Sequence, residues 1–388
     1  MTSERVRTTH TGSLPRPEAV LRMLTEKESL LHVDAAANEA LLARAVSDCV
    51  DRQIAAGIDV VSDGEFSKPG YSTYVKDRLT GFGGEGSFPA PADLAEYPDY
   101  AKRIFGDRAL AALQTPVCNG PIAYRDTHAV ERDIERFRRA LRGRAEGFLT
   151  AASPGVIAIF LKNQHYPNRG AYLEALSNAM RTEYRAICDA GFMLQIDCPD
   201  LAMSAHVGYA GLTAKELRKN LAMNVEALDA AVADIPPERM RMHLCWGNYE
   251  GPHHRDVELK EIVDIVLSAR PSGISFVAAN PRHEHEWKVW EGMRIPDDKV
   301  LIPGVIDSTT NFIEHPELVA ERLLRFIQIV GPERVIGGTD CGFSTFAGLH
   351  TVDPAIVWAK LEALAEGARI ASRFVRHTPR QPVVVAHA

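Results

Sequence analysis

Two hydrophobic rhythms alternate along the chain. Short apolar runs rich in β-branched residues, "IDVVSDGE" (58–65), "VIAIFLKN" (156–163), "FMLQIDCPD" (192–200), "MRMHLCWGN" (240–248), "GISFVAAN" (273–280), "VLIPGVID" (300–307) and "RVIGGTDCGF" (334–343), read as buried strands. "TTHTGSLP" (8–15) and "PVCNGPIAY" (116–124) are fainter versions of the same pattern. Between them the apolar period lengthens to that of a helix. Over 41–54, Leu41, Leu42, Ala45, Val46, Cys49, Val50 and Ile54 share one face, and Gly57 stands where a C-terminal cap belongs. Residues 173–187 repeat the pattern with Leu173, Leu176, Met180, Tyr184 and Ile187, stopped by Gly191. Thr213 followed by Glu216 predicts a capping box, and Pro316 predicts the first turn of a helix closed by Gly331.

Strands that alternate with helices predict a parallel sheet. About eight such units, with no dinucleotide fingerprint after the first strand, predict a TIM (β/α)8 barrel rather than an open doubly wound sheet. We read residues 1–388 as one barrel domain, with the Gly- and Pro-rich stretch 81–114 as an insertion covering it. The chemically loaded residues stand where the strand candidates end: Asp63 and Glu65, Asp197, His243 and Cys245, Asp307, Asp340 and Cys341. In a barrel those ends converge on one mouth, the catalytic one.

A net charge of −7 disfavours nucleic acid and anionic membrane as partners. The absence of a long apolar run predicts no membrane span, and "MTSERVRTTHTGS" lacks the apolar core of a secretory signal. The thinly spread cysteines predict a reduced, cytoplasmic protein. There is no nucleophile elbow, phosphate loop or H-E-x-x-H motif, and "ERFRRALRGR" (135–144) reads as a solvated basic helix. Arg16 is a candidate for an anionic substrate group, or else a loop salt bridge.

The sharpest chemical signal is His243-x-Cys245, whose side chains point to the same side of an extended chain. Cys341 at another strand end adds a second sulfur. One nitrogen and two sulfurs with a fourth position open suit catalytic zinc. A buried strand with an incidental histidine is the plainer alternative, since free cysteines are often small core residues.

At these residues the sequence resembles the catalytic zinc barrel of the cobalamin-independent methionine synthases. The resemblance runs over nearly the whole chain: "TTHTGSLPRP", "DVVSDGE", "LQIDCPDLA", "HLCWGN", "GVID" and "GGTDCGFST" follow in the family's order. The chain lacks the synthases' additional N-terminal barrel and resembles the short stand-alone members, among them the epoxyalkane–coenzyme M transferases; "NPRHEHEW" is typical of these. The resemblance implies a barrel of the methionine-synthase/uroporphyrinogen-decarboxylase type. It also implies Zn2+ on His243, Cys245 and Cys341, and an amino-acid pocket built from Gly12, Ser13, Glu65 and Asp197. A fourth, glutamate ligand is expected at Val277, where no acid stands; Glu284, Glu286, Asp340 and Glu250 are the substitutes on offer.

Two further departures touch the folate side of such a site. Thr127 stands near the place of the pterin-stacking tryptophan, and Thr309 where a proton-donating histidine is expected. His10 and His283 are therefore the acid–base candidates, with His285 and Tyr124 in reserve. The implied reaction is alkyl transfer, by default methyl, to a thiol. Homocysteine with a methylated folate as co-substrate is the family's pair. Thiol addition to an epoxide is the runner-up, and a metal-poor paralogue with a binding role is the alternative of another class. The expected partners are a small-molecule thiol and an alkyl donor, and a homo-oligomer is compatible with the sequence.

Overall fold

The computed structural model describes residues 5–28, 34–87, 90–105, 114–349 and 351–377. Its strands are β1 (Arg7–Thr8), β2 (Val60–Val61), β3 (Phe82–Ser87), β4 (Gln114–Cys118), β5 (Glu146–Ala152), β6 (Met193–Asp197), β7 (Met240–Leu244), β8 (Gly273–Phe276), β9 (Val300–Ile306) and β10 (Ile336–Thr339). Eight of them form one parallel sheet in the order β1-β10-β9-β8-β7-β6-β5-β2. At its two edges the Asp59 N–H donates to Thr8 O at 3.2 Å and Thr9 Oγ1 donates to Val60 O at 2.9 Å. The sheet thus curls into a nearly closed barrel flanked by helices, the TIM architecture expected from the alternation.

The helices begin and end where capping chemistry places them. Asp34 accepts from the N–H groups of Ala36 and Ala37 to open the helix Ala35–Ala55, and Gly57 leaves it at a φ of 88°. Its predicted face buries Leu42, Ala45, Val46, Cys49 and Val50. Thr213 and Glu216 form the predicted capping box of the helix Ala214–Ala231.

One strand assignment is corrected. Residues 156–163 are not a strand: Ser153 Oγ accepts from Val156 N–H and Pro154 occupies the first turn, so the apolar run forms the helix Pro154–Phe160, buried nearly all round. The strand lies just upstream at β5. The faint candidate 116–124 contributes β4, which pairs antiparallel with β3 as a hairpin apart from the barrel sheet. After this hairpin's first strand, residues 90–105 reach the barrel mouth. There Asp93 accepts from Tyr249 Oη at 2.7 Å and from His253 N–H at 2.9 Å, and Tyr100 Oη donates to Glu250 O at 2.8 Å.

Inside the barrel, parallel register stacks side chains in layers. Gln195, Arg241 and Gly273 are neighbours across β6, β7 and β8, and two residues further on so are Asp197, His243 and Ser275. The lower layer is a polar plug. Arg241 donates to Gln195 Oε1, Thr9 Oγ1 and His10 O at 2.8–2.9 Å, and its guanidinium lies 3.7 Å from the centre of the Phe148 ring. Gly273 is required beside it, because a Cβ there would stand 2.5 Å from Arg241 Cβ.

A second buried cation ties the helical layer together. Arg78 pairs with Glu183 at 2.8 Å and with Asp133, while Tyr74 and Tyr124 donate to the same Glu183 carboxylate at 2.7 Å each. Removing one member of such a network strands the others in a medium that cannot solvate them. Arg78→Met is expected to cost about 3–5 kcal/mol of folding stability, read as a lowered midpoint in urea denaturation with an unchanged slope.

Candidate metal centre and adjoining acid pair

Two strand ends bring His243, Cys245 and Cys341 together. His243 ends the inward-facing row of β7, Cys245 follows one step past the strand, and Cys341 stands two residues beyond β10. A ring nitrogen of His243 and the two sulfurs lie within 4.8 Å of one another, and all three residues are buried. The sulfurs are 2.8 Å apart and both cysteines are free. Cys341 hydrogen bonding holds the Cys245 thiol well below its ordinary range against the opposing effect of burial, aided by His243 and by the Gly247 N–H at 3.2 Å. Burial and the neighbouring Cys245 charge push Cys341 up. Behind the imidazole, Ser275 Oγ lies 3.2 Å from His243 Nδ1, the kind of outer partner that fixes a ligand ring. Soft sulfur donors, an oriented imidazole and a depressed thiol fit a zinc-type ion.

Beside this group lie two carboxylates. The turn Asp63–Gly64–Glu65 after β2 puts both Gly64 and Glu65 at positive φ, 72° and 61°, with the Glu65 N–H held by Asp63 Oδ1 at 3.0 Å. This swings the Glu65 side chain into the barrel, where Oε1 accepts from Thr150 Oγ1 at 2.9 Å. Its Oε2 is buried and accepts no hydrogen bond. Asp197, at the end of β6, accepts from Gln195 Nε2 at 2.8 Å; burial and the charge of Glu65 push its pKa up to about 7. Gly12 lies against Glu65: a Cβ there would meet Glu65 Oε1 at 2.7 Å and Thr150 Cγ2 at 2.6 Å. Ser13 Oγ accepts the Ser344 N–H at 3.3 Å, which leaves its own proton for a ligand.

Ser13, Glu65, Asp197, His243, Cys245 and Cys341 all line one cavity at the barrel mouth, with Tyr71, Phe160, Met203 and Phe346 forming an apolar wall. Glu250 is the third carboxylate on its surface, and no Lys or Arg is among its described lining residues.

Relatives match the chain over nearly its whole length. The chain is 26% identical over 371 residues to the methionine synthase of Saccharolobus solfataricus, covering 94% of both chains. It is 22% identical over 365 residues to that of Thermococcus kodakarensis, covering 93% of this chain and 92% of the other. The chain is a relative of the methionine synthases. No protein-family model matches it. Among solved structures, a B12-independent methionine synthase from Shewanella sp. W3-18-1, in complex with selenomethionine, superposes with a TM-score of 0.74 at 20% identity over 96% of this chain and all of the other. The corresponding protein of Listeria monocytogenes, described as putative, gives 0.64 at 17% identity, covering 94% and 98%. These neighbours share the fold, and the relatives bear out the resemblance to the cobalamin-independent family seen in the motifs.

Several sequence-derived candidates fall elsewhere. His10 lies in the polar plug, not on the cavity. Its Nε2 faces Gln53 Oε1 at 2.7 Å, its Nδ1 accepts the Gly12 N–H at 3.2 Å, and burial lowers its pKa to about 3. It is a neutral ring that holds the Gly12 backbone, not an acid–base group. His283 is likewise off the cavity, between Asp256 and Glu286 at 2.8 Å each; burial opposes its charge, but these two carboxylates raise its pKa to about 9. Arg16 is off the cavity and forms no loop salt bridge with a described residue: it is buried, and its Nη1 and Nη2 donate to the carbonyls of Ser344, Glu65 and Lys68. The substitutes for the missing glutamate at Val277 are also committed. Glu284 pairs with Arg322 and Arg325, Glu286 holds His283 and the Leu259 N–H, and Asp340 accepts three backbone N–H groups from residues 278–280. Glu250 alone of these reaches the cavity.

Three contributors escaped the sequence reading. Ser275 was legible as the register neighbour of His243, Tyr71 carries no motif, and Asn248 closes "HLCWGN" without a role having been read for it; it bridges Gly342 O and Ser308 Oγ across the mouth.

The raised Asp197 pKa sets a pH dependence. A carboxyl whose folded pKa lies above its unfolded value contributes stability below about pH 4 that is lost as pH rises through about 7. In metal-free, ligand-free protein, Asp197→Asn is expected to raise the melting temperature at pH 8 and to leave it little changed at pH 4, checked by thermal denaturation across that range.

Proposed function

We propose that the chain is a zinc-dependent thiol methyltransferase that methylates homocysteine, with a methylated folate as the methyl donor. Relatives named methionine synthase support an enzyme of thiol methyl transfer in general. The observation that carries the substrate assignment is the buried, unpartnered Glu65 Oε2 facing a cavity that also holds Asp197. Buried Lys68 stands behind the pair and donates to the carbonyl and hydroxyl of Thr150, the residue that holds Glu65, so on the cavity side an α-ammonium group supplies the charge and donors that the two carboxylates lack. Ser13 Oγ then donates to the carboxylate of the same amino acid. A sulfonated thiol of the coenzyme M kind finds no Lys or Arg among the described lining residues, which disfavours the epoxide reading.

His243, Cys245 and Cys341 would hold the zinc, with Ser275 orienting the imidazole. Bound there, zinc supplies a thiolate at neutral pH from the substrate's thiol. The residues of the chain do the rest. Glu65 and Asp197 anchor one end of the amino acid so that its sulfur faces the cysteines. Gly12 keeps Glu65 in place by having no side chain. The wall of Tyr71, Phe160, Met203 and Phe346 excludes water and receives the methyl donor, so that the sulfur meets the methyl carbon in line.

Zinc content and homocysteine S-methylation, measured on the same preparations, test this reading. Cys341→Ser is expected to lose turnover together with the zinc of this centre, and an active variant lacking that zinc overturns the assignment. Glu65→Gln is expected to retain zinc while weakening homocysteine binding by roughly 10- to 150-fold, the loss of one charge-assisted hydrogen bond of about 1.5–3 kcal/mol. Unchanged homocysteine affinity in that variant removes the acid pair from the substrate site.

A further inference from the structure

Next to the cysteine centre lies a second group of ligating side chains that the methyl-transfer reading does not use. His253 Nδ1 and His283 Nε2 both approach one oxygen of Asp256, Oδ2, at 2.9 and 2.8 Å. All three residues are buried, and the three ligating atoms lie within 4.8 Å of one another. The outward nitrogens are braced: His253 Nε2 faces the Tyr249 carbonyl at 3.0 Å and His283 Nδ1 faces Glu286 Oε2 at 2.8 Å. Both of those partners only accept hydrogen bonds, so each outward nitrogen carries the proton and the inward one is the coordinating atom of a neutral ring. A metal-ligating histidine usually shows this arrangement, donating its far N–H to a carboxylate or a backbone carbonyl.

The second observation is an unmet acceptor. Asp256 Oδ1 is buried and accepts no hydrogen bond. His206 Nε2 stands 3.2 Å from it, but is engaged with Trp246 O at 2.9 Å. The chain has also invested in rigidity here. The rings of Tyr249 and His253 stack with centroids 4.3 Å apart, those of Trp246 and His283 at 4.2 Å, and His253 takes a φ of 53°.

We propose that His253, Asp256 and His283 form a second site for a divalent transition ion of the zinc kind, separate from the His243, Cys245 and Cys341 centre. Two imidazole nitrogens and a carboxylate are donors such an ion accepts. Without the ion, two inward nitrogens that both meet a carboxylate oxygen must each carry a proton. Loading therefore exchanges two protons for one divalent cation and leaves the buried charge unchanged. The ion ties the loop after β7, which carries Cys245, Asn248, Tyr249 and Glu250 to the cavity, to the segment after β8. Its task is to hold that loop in shape, with no direct part in the transfer of the alkyl group.

Cobalt titration of tag-free, chelator-stripped protein tests the proposal. Two equivalents are expected: one with thiolate-to-cobalt charge-transfer absorption in the near ultraviolet, the other with visible d–d bands alone. The Cys245→Ser/Cys341→Ser double variant is expected to keep the second equivalent. Asp256→Asn/His283→Gln is expected to keep the first and lose the second, with a lowered melting temperature that cobalt raises by less than in the unmodified protein. Saturation of the unmodified protein by a single equivalent, with a spectrum that vanishes entirely in the cysteine variant, overturns the second site. The wild-type titration decides this even where a variant fails to fold. An equivalent with d–d bands alone supports the second site whether or not the cysteine centre binds metal.

Discussion

The register of the parallel ladder from β6 to β8 is the constraint on which the site depends. These three strands are buried on both faces over nearly their whole length, so a slip of one residue would exchange inward and outward side chains completely. With the register set, Asp197, His243 and Ser275 must lie side by side facing inward, and Gln195 and Arg241 must lie beneath them. A buried carboxylate, an imidazole and the hydroxyl beside that imidazole are thus consequences of one hydrogen-bond pattern. The lower layer converts the barrel's interior from a cavity into a floor, and the buried Arg241 is tolerable there because Thr9, His10 and Gln195 meet its donors.

The arrangement at the mouth separates two kinds of chemistry by charge. On one side are sulfurs and an imidazole, soft donors suited to a soft cation. On the other are Glu65 and Asp197, whose buried oxygens favour an ammonium. No fixed positive charge among the described lining residues neutralises either side, so the ions that complete the site come from outside the chain. The strain that builds it is local: positive φ at Glu65, close backbone approach at Gly12, and a neutral His10 that fixes the Gly12 N–H.

Much of this was legible before any coordinates. The alternation of apolar runs with helical periods pointed to the barrel, and the capping residues Thr213, Pro316 and Gly57 marked helix ends correctly. The error at 156–163 shows where periodicity stops informing. A short run that is apolar on every side fits a buried strand and a buried helix equally, and only the Ser153–Pro154 pair, a cap followed by a first-turn proline, distinguishes them. In the site, residues carried by motifs at strand ends were found, because strand ends must meet. His10 and His283 were misassigned because a histidine's role is set by what faces its two nitrogens, and those partners, Gln53 for one and Asp256 with Glu286 for the other, are distant in sequence.

Gly342 has a consequence of another kind. A Cβ at this position would stand 2.0 Å from Ser13 Oγ, so the residue after Cys341 must remain glycine for β1 and the Cys341 loop to touch. Ile104 and Leu349, by contrast, sit on the outer part of the same cavity and are 38% and 46% exposed. The molecule therefore divides into a floor where a single added carbon collides with a neighbouring side chain and a rim whose side chains stand partly in solvent. Substitutions at the rim can reshape the entrance of the cavity without touching the sulfurs and carboxylates at its floor.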